Sequence, residues 1–212
     1  MRSVAIDGPS GAGKSTISRA VAGRVGFLYV DTGALYRVVG LRFLRTGELG
    51  LDTLDLTMDF RDREQRVYDC GEDVTEEIRR HDVSKAASDC SALPEVRRFL
   101  LERQRELARR HDVIMDGRDI GTVVLPDADL KIFLTATPED RAQRRYEQLG
   151  EHAPAFETVL RDIIERDKND SARALAPLRA APDAILLDTT GNTFEQSAAL
   201  IERCIRERFS LS

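Results

Sequence analysis

A glycine-rich segment near the start of the chain has the residue types and spacing of a phosphate-binding loop. Residues 6–16 read IDGPSGAGKST and match the pattern GxxxxGKS. In this pattern the glycines let backbone N–H groups converge on phosphate oxygens, the lysine reaches the β- and γ-phosphates, and the next hydroxyl ligates Mg²⁺. We therefore expect Lys14 to act in phosphoryl transfer and Ser15 to be the metal ligand. The residues predicted to bind the nucleotide are Gly8, Pro9, Ser10, Gly11, Ala12, Gly13, Lys14, Ser15 and Thr16.

Loops of this kind serve several classes of protein, which other features of the sequence separate. GTPases, motor ATPases and small-molecule kinases all use them. The guanine-recognition tetrapeptide NKxD is absent, since DKND at 167–170 does not match it. A chain of 212 residues is also too small for a motor. A compact kinase remains, and it needs a second pocket for the acceptor.

Two arginine-bearing segments are candidates for that second pocket. DTGALYR at 31–37 follows one apolar run, and DGRDIGT at 116–122 follows another. Arg37 would lie on the first turn of a helix, a position that favours anions, and Arg118 would emerge at the end of a strand. Asp119 offers a carboxylate that can accept from an amino group on a base. Structural ion pairs would use the same residue types, but two arginines that face one phosphate-binding loop favour a phosphorylated acceptor.

These residues need a scaffold that brings strand ends together, and the rest of the sequence predicts one. Short apolar runs alternate with amphipathic, helix-like segments, which is typical of a parallel sheet with helices on both faces. In such an α/β fold, ligands gather at the carboxyl ends of the strands. The five predicted strands are Ser3–Asp7, Phe27–Asp31, Asp112–Asp116, Leu130–Thr135 and Ala184–Asp188.

Two regions interrupt this alternation within what we interpret as a single domain. Residues from about 51 to 93 hold no clear parallel strand and read as an insert of short strands and helices. Residues from about 139 to 182 are rich in charge and read as a helical lid, with two helical pieces after residue 150. The core would then comprise residues 1–50, 94–149 and 183–212.

Four motifs, in order along nearly the whole chain, resemble those of bacterial cytidylate kinases. They are IDGPSGAGKST, DTGALYR, DGRDIGTVV and the late segment ERDKNDSARALAPL at 165–178. The resemblance implies the nucleoside monophosphate kinase fold, with a monophosphate-binding insert. It implies transfer of a phosphoryl group from ATP, with Mg²⁺, to CMP or dCMP.

The same resemblance implies roles for individual residues. The implied contacts are Thr32, Arg97 and Asp119 with the cytosine, Arg37, Arg118 and Arg173 with the CMP phosphate, and Ser88, Arg166 and Asp170 with the sugar. Asp119 would accept from the exocyclic amine of cytosine and Arg97 would donate to N3 or O2, so uracil, with a carbonyl facing Asp119, would be disfavoured. Lys14, Arg37, Arg118 and Arg173 would neutralise charge during transfer, and no general base is needed because the attacking phosphate oxygen is already anionic.

Spacing adds two expectations about the late helices. Arg166, Asp170 and Arg173 stand at i, i+4 and i+7 and would share one helical face if the helix continues through them. Arg141, Arg144 and Arg145 would share a face on the helix that begins at Pro138. A solvated ion-pair face explains either set, and a lid that closes over the ATP phosphates is the functional interpretation of the second.

Composition limits the remaining classes of function. The net charge of −5 argues against a nucleic-acid binder that relies on overall basicity. Three widely separated cysteines fit neither a disulfide framework nor a zinc site and predict a reducing compartment. With no membrane-length apolar run and no signal peptide, we expect a cytoplasmic protein, and nothing demands more than a monomer. Two alternatives stay open: another small kinase with a phosphate-binding loop, and a nucleotide-dependent switch that transfers nothing.

Overall fold

The computed structural model of the chain describes residues 1–211, and Ser212 lies outside the described residues. The strands, in chain order, are β1 (Ser3–Asp7), β2 (Leu28–Asp31), β3 (Leu56–Arg61), β4 (Glu64–Asp69), β5 (Glu72–Asp73), β6 (Val113–Gly117), β7 (Leu130–Thr135) and β8 (Ile185–Asp188). The α-helices are α1 (Lys14–Val25), α2 (Thr32–Thr46), α3 (His81–Cys90), α4 (Pro94–Arg110), α5 (Pro138–Leu149), α6 (Phe156–Ala172) and α7 (Phe194–Phe209).

The predicted parallel sheet is confirmed, with strand bounds that differ from the expected ones by at most one residue. Five strands pair in the order β2–β6–β1–β7–β8, and all four pairings are parallel. The register aligns Asp7 with Gly117 and Asp31 with Asp116. The carboxyl ends of β1, β2 and β6 therefore meet at one edge, where all the motifs after these strands begin.

Helices cover both faces of this sheet, as its near-continuous apolar strands require. Val4 and Ile6 point to the face that α1 and α7 cover, whereas Ala5 points to the face that α4 covers, as the two-residue period of a strand demands. Helix α7 begins with a capping box, in which the Thr193 and Gln196 side chains accept from each other's backbone N–H groups.

Residues 51–93 form the predicted short strands and helices. Strands β3, β4 and β5 make an antiparallel sheet, and helix α3 packs on α2. Gly40 permits the close approach of these helices, since a Cβ there would lie 2.7 Å from the backbone nitrogen of Ala87. Gln65 on β4 accepts from the backbone N–H of Asp31 at 2.8 Å, which ties the insert to the end of β2. That this insert binds the monophosphate stays a prediction.

The charged region after α5 contains the two expected helical pieces, although the first is only a 3₁₀ turn. A single 3₁₀ turn (Gly150–His152) precedes α6, and no helix follows it before residue 184. Helices α5 and α6 pack together through an apolar cluster that includes Ala142, Val159 and Ile163. Across residues 1–211, we find no helix with both the length and the apolar character of a membrane span.

Candidate active site

The segment between β1 and α1 wraps tightly around the side chain of Lys14. Gly8, Gly11 and Gly13 have φ angles of 152°, 76° and 85°, a region that residues with a side chain rarely adopt. A Cβ at Gly8 would lie 2.0 Å from the carbonyl oxygen of Leu134, so glycine is required there. The Lys14 ammonium donates to the carbonyl of Pro9 at 2.8 Å. The loop therefore has the conformation that the sequence pattern predicted.

The Lys14 ammonium is buried among charges of both signs. Burial, and to a smaller extent the nearby Arg118, lower its pKa to about 7 against the opposing effect of the Asp116 and Asp7 carboxylates. An anion bound at this loop would compensate for the lost hydration of the ammonium and favour its charged form.

Ser15 meets a carboxylate from a strand that lies about a hundred residues away in sequence. Its hydroxyl donates to Asp116 Oδ2 at 2.7 Å, while Tyr29 donates to Asp116 Oδ1 at 3.0 Å. Burial raises the pKa of Asp116, and the neighbouring Asp31 adds to that effect. A hydroxyl and a carboxylate are hard oxygen donors of the kind that Mg²⁺ takes, so this pair fits the ion.

The prediction from sequence missed Asp116 as a functional residue. The signal was present, because an aspartate that ends an apolar strand, here DVIMD, is the Walker-B companion of a phosphate-binding loop. Within residues 1–211 no cluster of three or more His, Cys, Asp or Glu side chains could hold a metal, so an ion here would also need phosphate oxygens or water.

Three of the predicted phosphate and sugar residues form one charged cluster around Asp170. The Asp170 side chain is 1% exposed. It accepts from Arg118 Nε at 2.9 Å and from Arg173 Nη2 at 2.5 Å. Burial alone would raise the pKa of Asp170, but these two guanidinium groups hold it below its usual range. Helix α6 ends at Ala172, so the expected single helical face is wrong for Arg173, which reaches Asp170 from the cap position.

Arg166 connects this cluster to the loop that holds Lys14. Its Nη1 lies 3.3 Å from the Ser10 hydroxyl, across 156 residues of sequence. Burial lowers the pKa of Arg166 to about 10, and the repulsion of Arg118 adds to that shift. The contact of Arg166 with the sugar, which the resemblance implies, stays a prediction, and in this structure its guanidinium lies by the glycine-rich loop.

Arg37 completes the anion-binding edge from helix α2. Asp31 caps that helix by accepting from the backbone N–H of Ala34 at 3.1 Å, and its other oxygen accepts from Arg37 at 2.5 Å. Among the described residues, the Nε atoms of Arg37, Arg97 and Arg166 are buried without a hydrogen-bond partner. Buried donors are normally satisfied, and the grouping of these three at one edge of the sheet fits an anionic or polar ligand, whereas Arg66 Nε, equally unpaired, lies in the insert.

The residues expected to read a base lie together beside this edge. Asp119 is 5% exposed and pairs with Arg97 at 3.2 Å. Arg97 also donates to the Tyr36 hydroxyl at 3.1 Å, and this tyrosine did not appear among the predicted site residues. Burial raises the pKa of Asp119, against the opposing effect of Arg97. Thr32 is buried, and its hydroxyl donates to the backbone carbonyl of Asp116 at 2.7 Å. This bond holds the Thr32 side chain at the carboxyl end of β6.

The remaining predicted residues differ in their distance from the glycine-rich loop. Ser88 lies half-buried on α3, and its carbonyl accepts from the Ser91 hydroxyl. Arg141 is buried and donates to the carbonyl of Ser10 at 2.9 Å, which places it beneath the glycine-rich loop. Arg144 reaches the carbonyl of Thr189 at 2.6 Å and lies near Gly13. Arg145 donates to Gln148 on its own helix at 2.9 Å and is not brought to the loop.

Sequence comparisons identify relatives over nearly the whole length. A family model described as cytidylate kinase matches residues 4–207. The cytidylate kinase of Caldicellulosiruptor saccharolyticus is 50% identical over 204 residues, covering 91% of this chain and 90% of that protein. The cytidylate kinase of Chlorobaculum tepidum is 44% identical over 211 residues, covering 93% of this chain and 90% of that protein.

Solved structures that resemble the chain share its fold at low sequence identity. Shikimate kinase from Bacteroides thetaiotaomicron has a TM-score of 0.52 at 13% identity and covers 99% of each chain. A gluconokinase from Sinorhizobium meliloti has a TM-score of 0.51 at 16% identity, covering all of this chain and 97% of that one. At this level of identity the likeness supports the kinase fold alone.

Proposed function

This chain belongs to the cytidylate kinase family, and we propose that it transfers the γ-phosphoryl group of ATP to the phosphate of CMP or dCMP. One observation carries the proposal. Arg166 lies between the glycine-rich loop and the arginine cluster, since its Nη1 is 3.3 Å from the Ser10 hydroxyl and, besides burial, the charges of Arg118 and Asp170 shift its pKa. Two anion-binding sites therefore meet at one edge of the sheet, as transfer between two phosphates requires.

The ATP side of the site is the loop from Gly8 to Thr16. Its glycines free the backbone to approach the triphosphate, and the start of α1 adds a positive dipole end. Lys14 would hold the β- and γ-phosphates. Ser15 and Asp116 would hold Mg²⁺, which when bound offsets negative charge on the phosphate oxygens.

The CMP side is built from separate groups for the phosphate and the base. The monophosphate would be bound by Arg37, Arg118 and Arg173. A guanidinium group can donate two parallel hydrogen bonds to two oxygens of one phosphate. Arg97 and Asp119 bond each other in this structure. Cytosine, which presents a donor beside two acceptors, would satisfy both partners, whereas uracil would place a carbonyl against the Asp119 carboxylate.

Catalysis by this arrangement is positioning and electrostatics. The attacking CMP oxygen is anionic, so the chain needs no residue to remove a proton from it. Lys14, Arg118 and Arg166 carry positive charge around the place where the two phosphates meet. Of the three arginines expected in a lid over the ATP phosphates, we propose this role for Arg141 and Arg144, because their side chains lie by the glycine-rich loop.

The proposal covers the setting of the enzyme as well. We propose a cytoplasmic monomer that acts on small molecules and binds neither nucleic acid nor membranes, in keeping with its net charge of −5.

An acceptor panel tests the proposed activity. The purified protein is incubated with Mg²⁺ and ATP, and ADP formation is followed with CMP, dCMP, UMP or AMP as the acceptor. We expect CMP and dCMP to be the best acceptors and Lys14→Ala to abolish transfer while the protein stays folded. A preference for AMP or UMP would indicate another nucleotide kinase. ATP binding without ADP formation from any monophosphate would indicate a nucleotide-dependent switch.

A further inference from the structure

A buried carboxylate that takes no part in the proposed chemistry lies between the two halves of the site. Asp7 is the last residue of β1, directly before the glycine-rich loop, and it is 4% exposed. Its Oδ1 accepts from the backbone N–H of Ile120 and its Oδ2 from that of Gly121, each at 2.7 Å. These bonds join segments that lie more than a hundred residues apart in sequence.

The two backbone donors belong to the turn that follows Arg118 and Asp119. Residues Ile120–Val124 form one wide helical turn after β6. The first N–H groups of a helical turn have no partner within it, and leaving them buried and unpaired would be costly. Asp7 accepts from both, so the start of this turn is held from β1 rather than by its own residues.

The Asp7 carboxylate lies in the interior of the protein among charged groups. Burial raises the pKa of Asp7 to about 6, although its two backbone donors favour the ionised form. Asp119 repels this carboxylate and Lys14 attracts it.

We propose that Asp7 is a positioning residue of the monophosphate site, whose carboxylate fixes the Arg118–Asp119 segment relative to the glycine-rich loop. The inference rests on the proposed function, because it assigns those two residues to CMP. Asp7 touches neither substrate. It determines where the phosphate-binding guanidinium and the base-reading carboxylate stand relative to the γ-phosphate, and a misplacement of about 1 Å is enough to cost on the order of a hundredfold in rate.

Asp7→Asn tests this role with almost no change of shape. A carboxamide accepts through its oxygen but places its own N–H₂ against the second backbone donor, so one bond becomes a repulsion. We expect kcat/KM for CMP to fall about 10- to 100-fold. The KM for CMP should rise and the CMP-to-UMP preference should narrow at least about threefold, because Arg118 and Asp119 move together, while ATP affinity stays within about twofold.

Asp112→Asn is the matched control. Asp112 accepts from the backbone N–H of Arg2 at 2.6 Å and from its guanidinium, but it lies just before β6, at the opposite end of that strand from the site. Its loss should lower the melting temperature and leave KM and acceptor preference unchanged. A purely structural role for Asp7 would likewise reduce only the active fraction, and hence the apparent kcat for every acceptor alike.

Unchanged KM and acceptor preference in Asp7→Asn, matching Asp112→Asn, would overturn the inference. If Asp7→Asn does not fold, Asp7→Glu replaces it, since glutamate keeps the charge but its longer side chain moves the two accepting oxygens away from the backbone N–H groups of Ile120 and Gly121. That variant should also raise the KM for CMP and reduce the preference for CMP over UMP. Wild-type values of both would count against the role of Asp7. A wild-type enzyme inactive with CMP would overturn the proposed function instead.

Discussion

Asp119→Asn keeps the shape of the side chain and removes its charge, so it isolates what the carboxylate contributes to base selection. Asp119 is 5% exposed and bonds Arg97 at 3.2 Å. Water therefore cannot replace a lost partner easily. In the proposed complex the carboxylate accepts from the exocyclic amine of cytosine, and the same oxygen would repel the uracil carbonyl.

The size of the effect follows from this burial. A hydrogen bond to a charged group contributes about 1.5–3 kcal/mol. At about 1.4 kcal/mol per factor of ten, kcat/KM for CMP should fall roughly 10- to 150-fold. UMP should lose nothing, because the amide of asparagine can donate to the uracil carbonyl. The ratio of the two kcat/KM values should therefore fall by at least about tenfold.

The assay compares CMP and UMP at saturating ATP in a coupled measurement of ADP. Asp31→Asn is the matched control, because Asp31 is also an aspartate at this edge but bonds Arg37, at the phosphate end. It should raise the KM for both acceptors in the same proportion and leave their ratio unchanged. A ratio for Asp119→Asn within about threefold of wild type would refute base reading by Asp119. So would an equal narrowing of the ratio in Asp31→Asn.

Three further predictions concern the glycine-rich loop, its helix and the metal. Burial lowers the pKa of Lys14 to about 7 and bound phosphates would raise it, so ATP binding at pH 7 should be accompanied by partial proton uptake in the wild type but not in Lys14→Gln. Titration calorimetry in two buffers of different ionisation enthalpy measures the proton uptake, and equal uptake by both proteins would contradict the prediction. Gly8→Ala should not fold, because its Cβ would lie 2.0 Å from the Leu134 carbonyl oxygen. The control Gly23→Ala has open space on α1, and its free energy of unfolding, measured by thermal melts, should rise by up to about 1 kcal/mol. A folded, active Gly8→Ala protein would refute the geometry of the loop. EDTA should abolish ADP formation and added Mg²⁺ should restore it, and activity that survives chelation would remove the metal from the proposal.

Local patterns in the sequence were enough to predict the elements and the edge at which the site lies. Five apolar runs became the five parallel strands. Strands β1, β6 and β7 are mostly buried, as an almost continuous apolar segment indicates, whereas β8 lies at the edge of the sheet with Leu186 67% exposed. The three glycines of IDGPSGAGKST adopt the positive φ angles that residues with a side chain rarely take. Thr137 and Thr193 cap α5 and α7 by accepting from backbone N–H groups three residues further on, a spacing that is visible in the sequence. Each of these features depends on neighbours within a few residues.

Contacts between distant segments were beyond the same patterns. The helical spacing of Arg166, Asp170 and Arg173 predicted one face if the helix continued, yet α6 ends before Arg173. Asp170 instead bonds both Arg118 and Arg173, the two arginines that we propose for the phosphate. Three lid arginines were equivalent by spacing, and only the packing of α5 separates Arg141 from Arg145.

The sequence by itself therefore determined which residue types stand at which strand end, because periodicity and turn chemistry are local. Tertiary structure alone decided which of them meet. Asp116 receives the Ser15 hydroxyl, Arg166 reaches Ser10, and Asp7 holds the turn after Asp119, each across more than a hundred residues. The pairings of Asp116 and Asp7 follow from the order and register of the parallel strands, whereas that of Arg166 follows from the packing of α6 on α5. Strand order and helix packing are both properties of the whole fold.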